Sequence, residues 1–165
     1  AQSNADIRPT QQISTLVFND GQVLQQNSSW GIKPNWAKKL LINAQSETIA
    51  IKKTFKEAFQ MHRCLVPCSG WYEWRDEGGR RKQKYSFTHA EGTPFLMAGI
   101  WYKYAEQTEL VTLTTTPNSR CAEIHKRMPV LITAEEAPFW FKSKVEELEP
   151  LMHATDNSLI QIDRA

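Results

Sequence analysis

The chain has 165 residues, a natural size for one compact domain, and 41% hydrophobic residues with six tryptophans supply the apolar surface a core requires, which excludes a disordered chain. Twenty basic against 18 acidic residues leave a formal net charge of +2, so a nucleic-acid role has to come from a local patch rather than from bulk charge. No run approaches the ~18 apolar residues that span a bilayer, no charged start leads into an apolar leader segment, and three cysteines are too few and odd in number for a disulfide framework; a cytoplasmic protein with reduced thiols, nucleoid-associated if bacterial and with no membrane partner, is expected.

No repeat, low-complexity tract or Gly/Ser/Pro linker divides the chain. ISTLVF (13–18) and QVLQQ (22–26) flank NDG, and they read as a hairpin because Asn, Asp and Gly tolerate positive φ. The next stretch, WGIKPNWAKKLLINAQSET (30–48), reads as an irregular loop. In TFKEAFQMH the residues Phe55, Ala58, Phe59 and His62 or Met61 recur at three- and four-residue spacing, the pattern of a helix with one buried face. CLVPCSGWYEW (64–74) and KYSFT (84–88) flank RDEGGRRKQ, where Gly78 and Gly79 supply a turn. PFLMAGIWYKY (94–104) and ELVTLTTT (109–116) form a third β-rich pair joined near AEQT. TAEE (133–136) and SKVE (143–146) both match the capping box, which predicts two short helices in succession. The sum is an α+β fold: a curved, mainly antiparallel β-sheet or barrel-like core with flanking helices.

Three stretches carry candidate chemistry. If SGWYEWR is a strand, period-two alternation puts Trp71, Glu73 and Arg75 on one face and Tyr72 and Trp74 on the other. Aromatic neighbours that desolvate Glu73 raise its pKa toward values useful for proton transfer near neutrality; the competing reading is a rim carboxylate paired with Arg75 or another cation. In CAEIHKRMPVLIT (121–133), an extended backbone aims His125 and Arg127 at one face, a proton carrier beside a phosphate-binding fork. The alternative is a polar strand entrance. In 30–48, Trp30 and Trp36 stand among Lys33, Lys38, Lys39 and Asn43, and aromatic faces with nearby ammonium groups suit unpaired bases and phosphates. Trp30 fits a core role equally well; Trp36, between Asn35 and Lys38, is the better exposed platform.

No metal site and no cofactor are expected. Cys121 and His125 make half a zinc site at most, Cys64 and Cys68 lack the tight C-x2-C spacing, and no Walker A or G-x-G-x-x-G loop occurs. Cys64 and Cys68 sit at same-face spacing in an apolar run, as buried inert thiols do.

Taken in order, RPTQ (8–11), WGIKPNWAK (30–38), INAQSET (42–48), RCLVPCSGWYEW (63–74), MAGIW (97–101) and IHKRMPV (124–130) resemble the SRAP family, the SOS-response-associated peptidase domain. The resemblance implies a protein of the DNA damage response that binds single-stranded DNA and links itself covalently to abasic sites. In that family a terminal cysteine supplies an α-amine, which forms a Schiff base with the ring-opened sugar aldehyde, and a thiol, which closes a thiazolidine ring. An α-amine with a pKa of about 8 is partly neutral at physiological pH. By the same resemblance Glu73 shuttles protons around amine and aldehyde, His125 assists sugar opening and Schiff-base chemistry, and Asn43 positions the terminal cysteine and the lesion. Arg127 and Lys53 look like phosphate contacts, Gln45 and Trp30 fall within the DNA-binding segments, and Trp36 resembles the wedge that stacks on the strand. A monomer is expected.

Two departures stand out. The family's M-C-G-R opening is absent and the first cysteine is Cys64, so the resemblance implies a single SRAP-like domain over 1–165 without the native N-terminal cysteine segment and C-terminal end, and inactive in crosslinking by itself. Gln45 stands where the family commonly has arginine, which removes a charge from the phosphate contacts. Besides crosslinking, a thiol autopeptidase or peptidase acting on protein and a non-catalytic single-stranded DNA-binding module are the alternatives.

Overall fold

The computed structural model describes residues 6–165. Strands β1 (Gln12–Asn19) and β2 (Gln22–Trp30) form the first hairpin, in register from Gln12 opposite Ser29 to Asn19 opposite Gln22. Its two-residue turn places Asp20 at φ 50° and Gly21 at φ 78°, the paired left-handed geometry that follows the twist of the flanking strands. After the loop come β3 (Asn43–Gln45) and α1 (Lys56–Met61), the latter burying Ala58 and Phe59 as its spacing predicts. Then follow β4 (Arg63–Cys68), β5 (Gly70–Arg75), β6 (Gln83–His89), β7 (Phe95–Tyr104) and β8 (Gln107–Thr115). The chain continues through α2 (Ser119–Ala122), β9 (Met128–Pro129), β10 (Leu131–Ile132), α3 (Ala137–Lys142), three 3-10 turns and β11 (Ile160–Arg164).

Strands β7, β4, β1, β2 and β8 pair in that order, and β7 pairs again with β8, so the sheet closes into a five-stranded barrel. Closure rests on a short parallel seam in which Ser29 and Trp30 of β2 face Glu109 and Leu110 of β8. Ile32, Ile49, Leu65, Ile100, Val111, Leu113 and Trp140 are among the side chains buried in the main core. The expected barrel-like core and curved, mainly antiparallel sheet are therefore present, with α-helices at two of the three predicted places. Among the described residues no helix is long and apolar enough to cross a membrane.

The apolar run around residues 64–74 is two strands rather than one. Residues 63–68 belong to the barrel and 70–75 begin a separate antiparallel sheet in the order β11-β6-β5. Gly70 sits at the junction because the chain passes so close to β6 that a Cβ there would lie 2.1 Å from the Phe87 carbonyl oxygen. This second sheet packs Tyr85, Phe87, Phe95, Cys121, Met128 and Ile160 into its own cluster.

Arg63 fastens the helices to the barrel. Its buried guanidinium donates to the carbonyls of Phe59 and Trp140, each at 2.7 Å, and to that of Ser143, capping the ends of α1 and α3. The TAEE capping box forms: the Thr133 amide donates to Glu136 Oε1 and the Glu136 amide to Thr133 Oγ1, both at 3.1 Å. The SKVE box does not. The Ser143 amide makes the last α3 bond to Phe139, Ser143 and Lys144 are extended, and only a 3-10 turn without a side-chain cap follows.

Candidate active site

The alternation predicted for β5 is realised. Tyr72 and Trp74 are exposed on one face, while Trp71, Glu73 and Arg75 face inward and are half-buried. Trp71 stacks on Phe87 at 4.8 Å, fixing the floor beside Glu73. The Arg75 partnership weighed for Glu73 does not form. Arg75 pairs with Glu77 at 2.6 Å and also donates to Tyr85 Oη and the Glu123 carbonyl. Glu73 faces His125 instead, Oε2 to Nε2 at 3.5 Å. Burial raises the Glu73 pKa above the ordinary carboxylate value, and the adjacent His125 only partly opposes it.

His125 reaches that position through a turn, not through the extended strand expected from sequence. Asn118 caps α2 by accepting from the Cys121 amide at 2.8 Å, and the His125 amide donates back to the Cys121 carbonyl. Residues 125–127 then precede β9 without strand pairing. The imidazole folds against its own chain, with Nδ1 3.3 Å from the Arg127 amide nitrogen and 3.2 Å from the Arg127 carbonyl oxygen. Nδ1 accepts from the amide when unprotonated and donates to the carbonyl when protonated, so Nε2 faces Glu73 in either tautomer.

Arg127 is held as a fork. Nη1 and Nη2 donate to the two Glu47 oxygens at 3.0 and 2.7 Å, Nη2 also to the Thr114 carbonyl, and Nε to Thr114 Oγ1. Those hydrogen bonds lower the Glu47 pKa to about 2. Glu47 was not singled out from sequence, yet it continues the period-two series Asn43, Gln45, Glu47, all three exposed. That spacing is the signal that could have found it.

Strand β3 lies parallel to β8, Asn43 opposite Thr112 and Gln45 opposite Thr114. The Thr112 hydroxyl donates to Asn43 Oδ1 at 2.9 Å, which turns the Asn43 amide nitrogen outward. Glu73, His125, Arg127, Glu47 and β3 thus form one connected group, and a cleft of about 720 Å³ whose lining includes Ser46, Glu47, Thr115 and Thr116 opens beside it. Trp30 is half-buried with its indole N–H bound to the Ile42 carbonyl at 3.1 Å. Trp36 is 67% exposed and Lys53 is exposed ahead of α1; neither hydrogen-bonds to the group.

Cys64 is buried as its place in the apolar run suggested, whereas Cys68 is only half-buried. Burial pushes the Cys64 thiol far above its usual range and that of Cys68 up to about 11, and it raises Cys121 as well. All three are unpaired thiols.

A closed barrel with a lateral sheet is an architecture shared with solved structures. A protein of Bacteroides thetaiotaomicron is 26% identical with a TM-score of 0.81, covering 94% of this chain and 74% of that one. A protein of Bordetella bronchiseptica has the same fold with a TM-score of 0.86 at 21% identity, covering 100% and 89%. The family model for SOS response associated peptidase (SRAP) matches residues 1–164, and the chain belongs to that family. Abasic site processing protein YoqW of Bacillus subtilis (strain 168) is 32% identical over 150 residues, 84% of this chain and 66% of that protein. Abasic site processing protein YedK of Escherichia coli (strain K12) is 29% identical over 149 residues, 87% and 67%. The chain spans about two thirds of the length of these relatives.

Proposed function

We propose that this chain is the lesion-handling domain of a DNA damage response protein that binds single-stranded DNA as a monomer and crosslinks abasic sites. The observation that carries the reading is the Glu73–His125 pair: a carboxylate biased by burial toward its proton-carrying form, 3.5 Å from an imidazole whose other nitrogen has a partner in either tautomer. Its relatives' names, abasic site processing protein, point the same way.

The abasic sugar in its open form presents an aldehyde. An α-amine adds to the carbonyl carbon, a proton passes to the oxygen, and water leaves as the imine forms; a thiol on the same residue then adds to the imine carbon and closes the thiazolidine. Each step needs a proton delivered or removed within a few ångströms, the role of Glu73 and His125. The Asn43 amide nitrogen, oriented by Thr112, donates to the lesion or the attacking residue. Amine and thiol come from a terminal cysteine that this sequence does not contain, since Cys64, Cys68 and Cys121 are internal, shielded and poorly ionised. In this reading the peptidase activity is autoproteolytic and unmasks that cysteine.

Trp36 offers a base-stacking platform and Lys53 a phosphate contact. Four of the five guanidinium hydrogens of Arg127 are held by Glu47 and Thr114, leaving one on Nη1 for a phosphate oxygen. The test incubates the protein bearing its natural N-terminus with a single strand containing one abasic site. A heat-stable adduct on a denaturing gel, absent with the intact strand, is expected. Salt-sensitive retention without an adduct makes the chain a binding module, and the absence of both favours a peptidase acting on protein.

A further inference from the structure

We infer that the outer face of β5 and the β5–β6 hairpin form a second contact surface for single-stranded nucleic acid, which receives the strand flanking the lesion. The place assigned to the lesion rests on the abasic-site reading; the surface itself does not.

The alternation that turns Glu73 inward leaves Tyr72 (37% exposed) and Trp74 (48% exposed) on the opposite face. Between them stands Lys84, opposite Trp74 in the β5–β6 register, its ammonium 4.0 Å from the centroid of Tyr72 and 5.6 Å from that of Trp74. Just beyond, the hairpin carries Arg80, Arg81 and Lys82 in succession, all exposed. Of the nearby carboxylates Glu77 is paired with cations, while Asp76 and Asp163 are hydrogen-bonded by neutral amides, which leaves the cations in excess. Asp76 accepts from the Gly78 amide, and Glu77 is held by Arg75, Tyr85 and Arg164. Asp163, exposed on β11, accepts from Gln161. Four cations beside two exposed aromatic rings complement phosphates and bases together, the combination that single strands recognise.

Topology makes the two faces continuous. Strand β5 is the edge of its sheet, and among the described residues nothing pairs with its free side, so a flexible strand can pass from Glu73 around that edge onto Trp74. The hairpin tip at Gly78 lies five residues past Glu73, at most about 18 Å of extended chain, within reach of the nucleotides that flank the lesion on a flexible single strand.

Fluorescence anisotropy with labelled undamaged dT20 tests the surface in the Arg80→Ser/Arg81→Ser/Lys82→Ser triple variant, whose changes are confined to an exposed loop, and in Trp74→Ala. The triple variant is expected to bind at least tenfold more weakly, with the slope of log K against log salt shallower by about 2, at roughly 0.7 per lost phosphate contact on a single strand. Trp74→Ala is expected to weaken binding fivefold or more with the slope unchanged; the loop variant decides alone if Trp74→Ala does not fold. Unchanged dT20 affinity in the folded variants overturns the surface, and so does competition by polyglutamate equal to that by unlabelled dT20. A trinucleotide with a central abasic site has one nucleotide on either side, too little flanking strand to cover the hairpin loop, so adduct formation on it by the triple variant should match wild type. An adduct without any effect on dT20 removes the surface and keeps the abasic-site reading; binding of dT20 through Trp74 and the loop without any adduct does the reverse.

Discussion

The surroundings of Glu73 run against its usual charge state. Burial favours the protonated acid, His125 partly restores the carboxylate, and Arg75, the nearest cation in sequence, is held by Glu77. NMR titration of the Glu73 carboxyl should give a pKa above the usual carboxylate value of about 4.3, and a higher one still in His125→Asn; a value at or below the usual one contradicts the assignment. The consequence for stability has a definite sign. Because the folded-state pKa is raised, the contribution of Glu73 is fully present below the unfolded-state pKa and is lost as pH rises through the folded one. Denaturant unfolding should therefore show Glu73→Gln gaining stability over wild type as pH goes from 4 to 7, whereas a difference independent of pH argues against burial as the cause. Glu47 has the opposite sign: its contribution holds above the usual carboxylate range and is lost only as pH falls through about 2, so the Arg127 fork stays intact wherever the site works.

Each element shows how far local pattern carries. The period-two series Trp71, Glu73, Arg75 was legible because half-burial of a strand imposes it, and so were the turn at Asp20–Gly21 and the Thr133–Glu136 box, which depend on near neighbours alone. The Ser143 box failed because Ser143 was already ending α3, a commitment visible only when helix lengths are known. Extended backbone at 125–127 was the wrong period: α2 ends just upstream, and His125 turns back onto Arg127. Nor was Arg63 marked as more than part of a motif, although its partners are carbonyls from two helices near residues 60 and 140. Arg63→Ala leaves those helix ends without donors and should lower unfolding free energy by about 3 kcal/mol or more, a Tm loss of roughly 6–12 °C for a chain of this size. A loss under about 2 °C in calorimetry contradicts that role.

At the scale of the molecule, closure of the barrel was the least legible feature, because it depends on β8 meeting β2 in parallel across some 80 residues of chain, and β3 joins β8 in parallel outside the ring. That same contact sets Asn43 and Gln45 beside Thr112 and Thr114 and brings the Arg127 fork to the Glu73–His125 pair, so fold and site share one origin. With a net charge of +2, affinity for DNA depends on a few placed cations. Gln45→Arg should raise affinity for a single strand and steepen the salt dependence by about 0.7; an unchanged slope takes Gln45 out of the phosphate contacts. The central claim, that Glu73 moves protons for an aldehyde lesion, is tested most directly by comparing wild type and Glu73→Gln, each with its natural N-terminus, for adduct rate and for equilibrium affinity on the same abasic strand. The account predicts adduct formation slowed by about 100-fold or more with affinity changed less than twofold; equal losses in rate and affinity, or no loss in rate, contradict it.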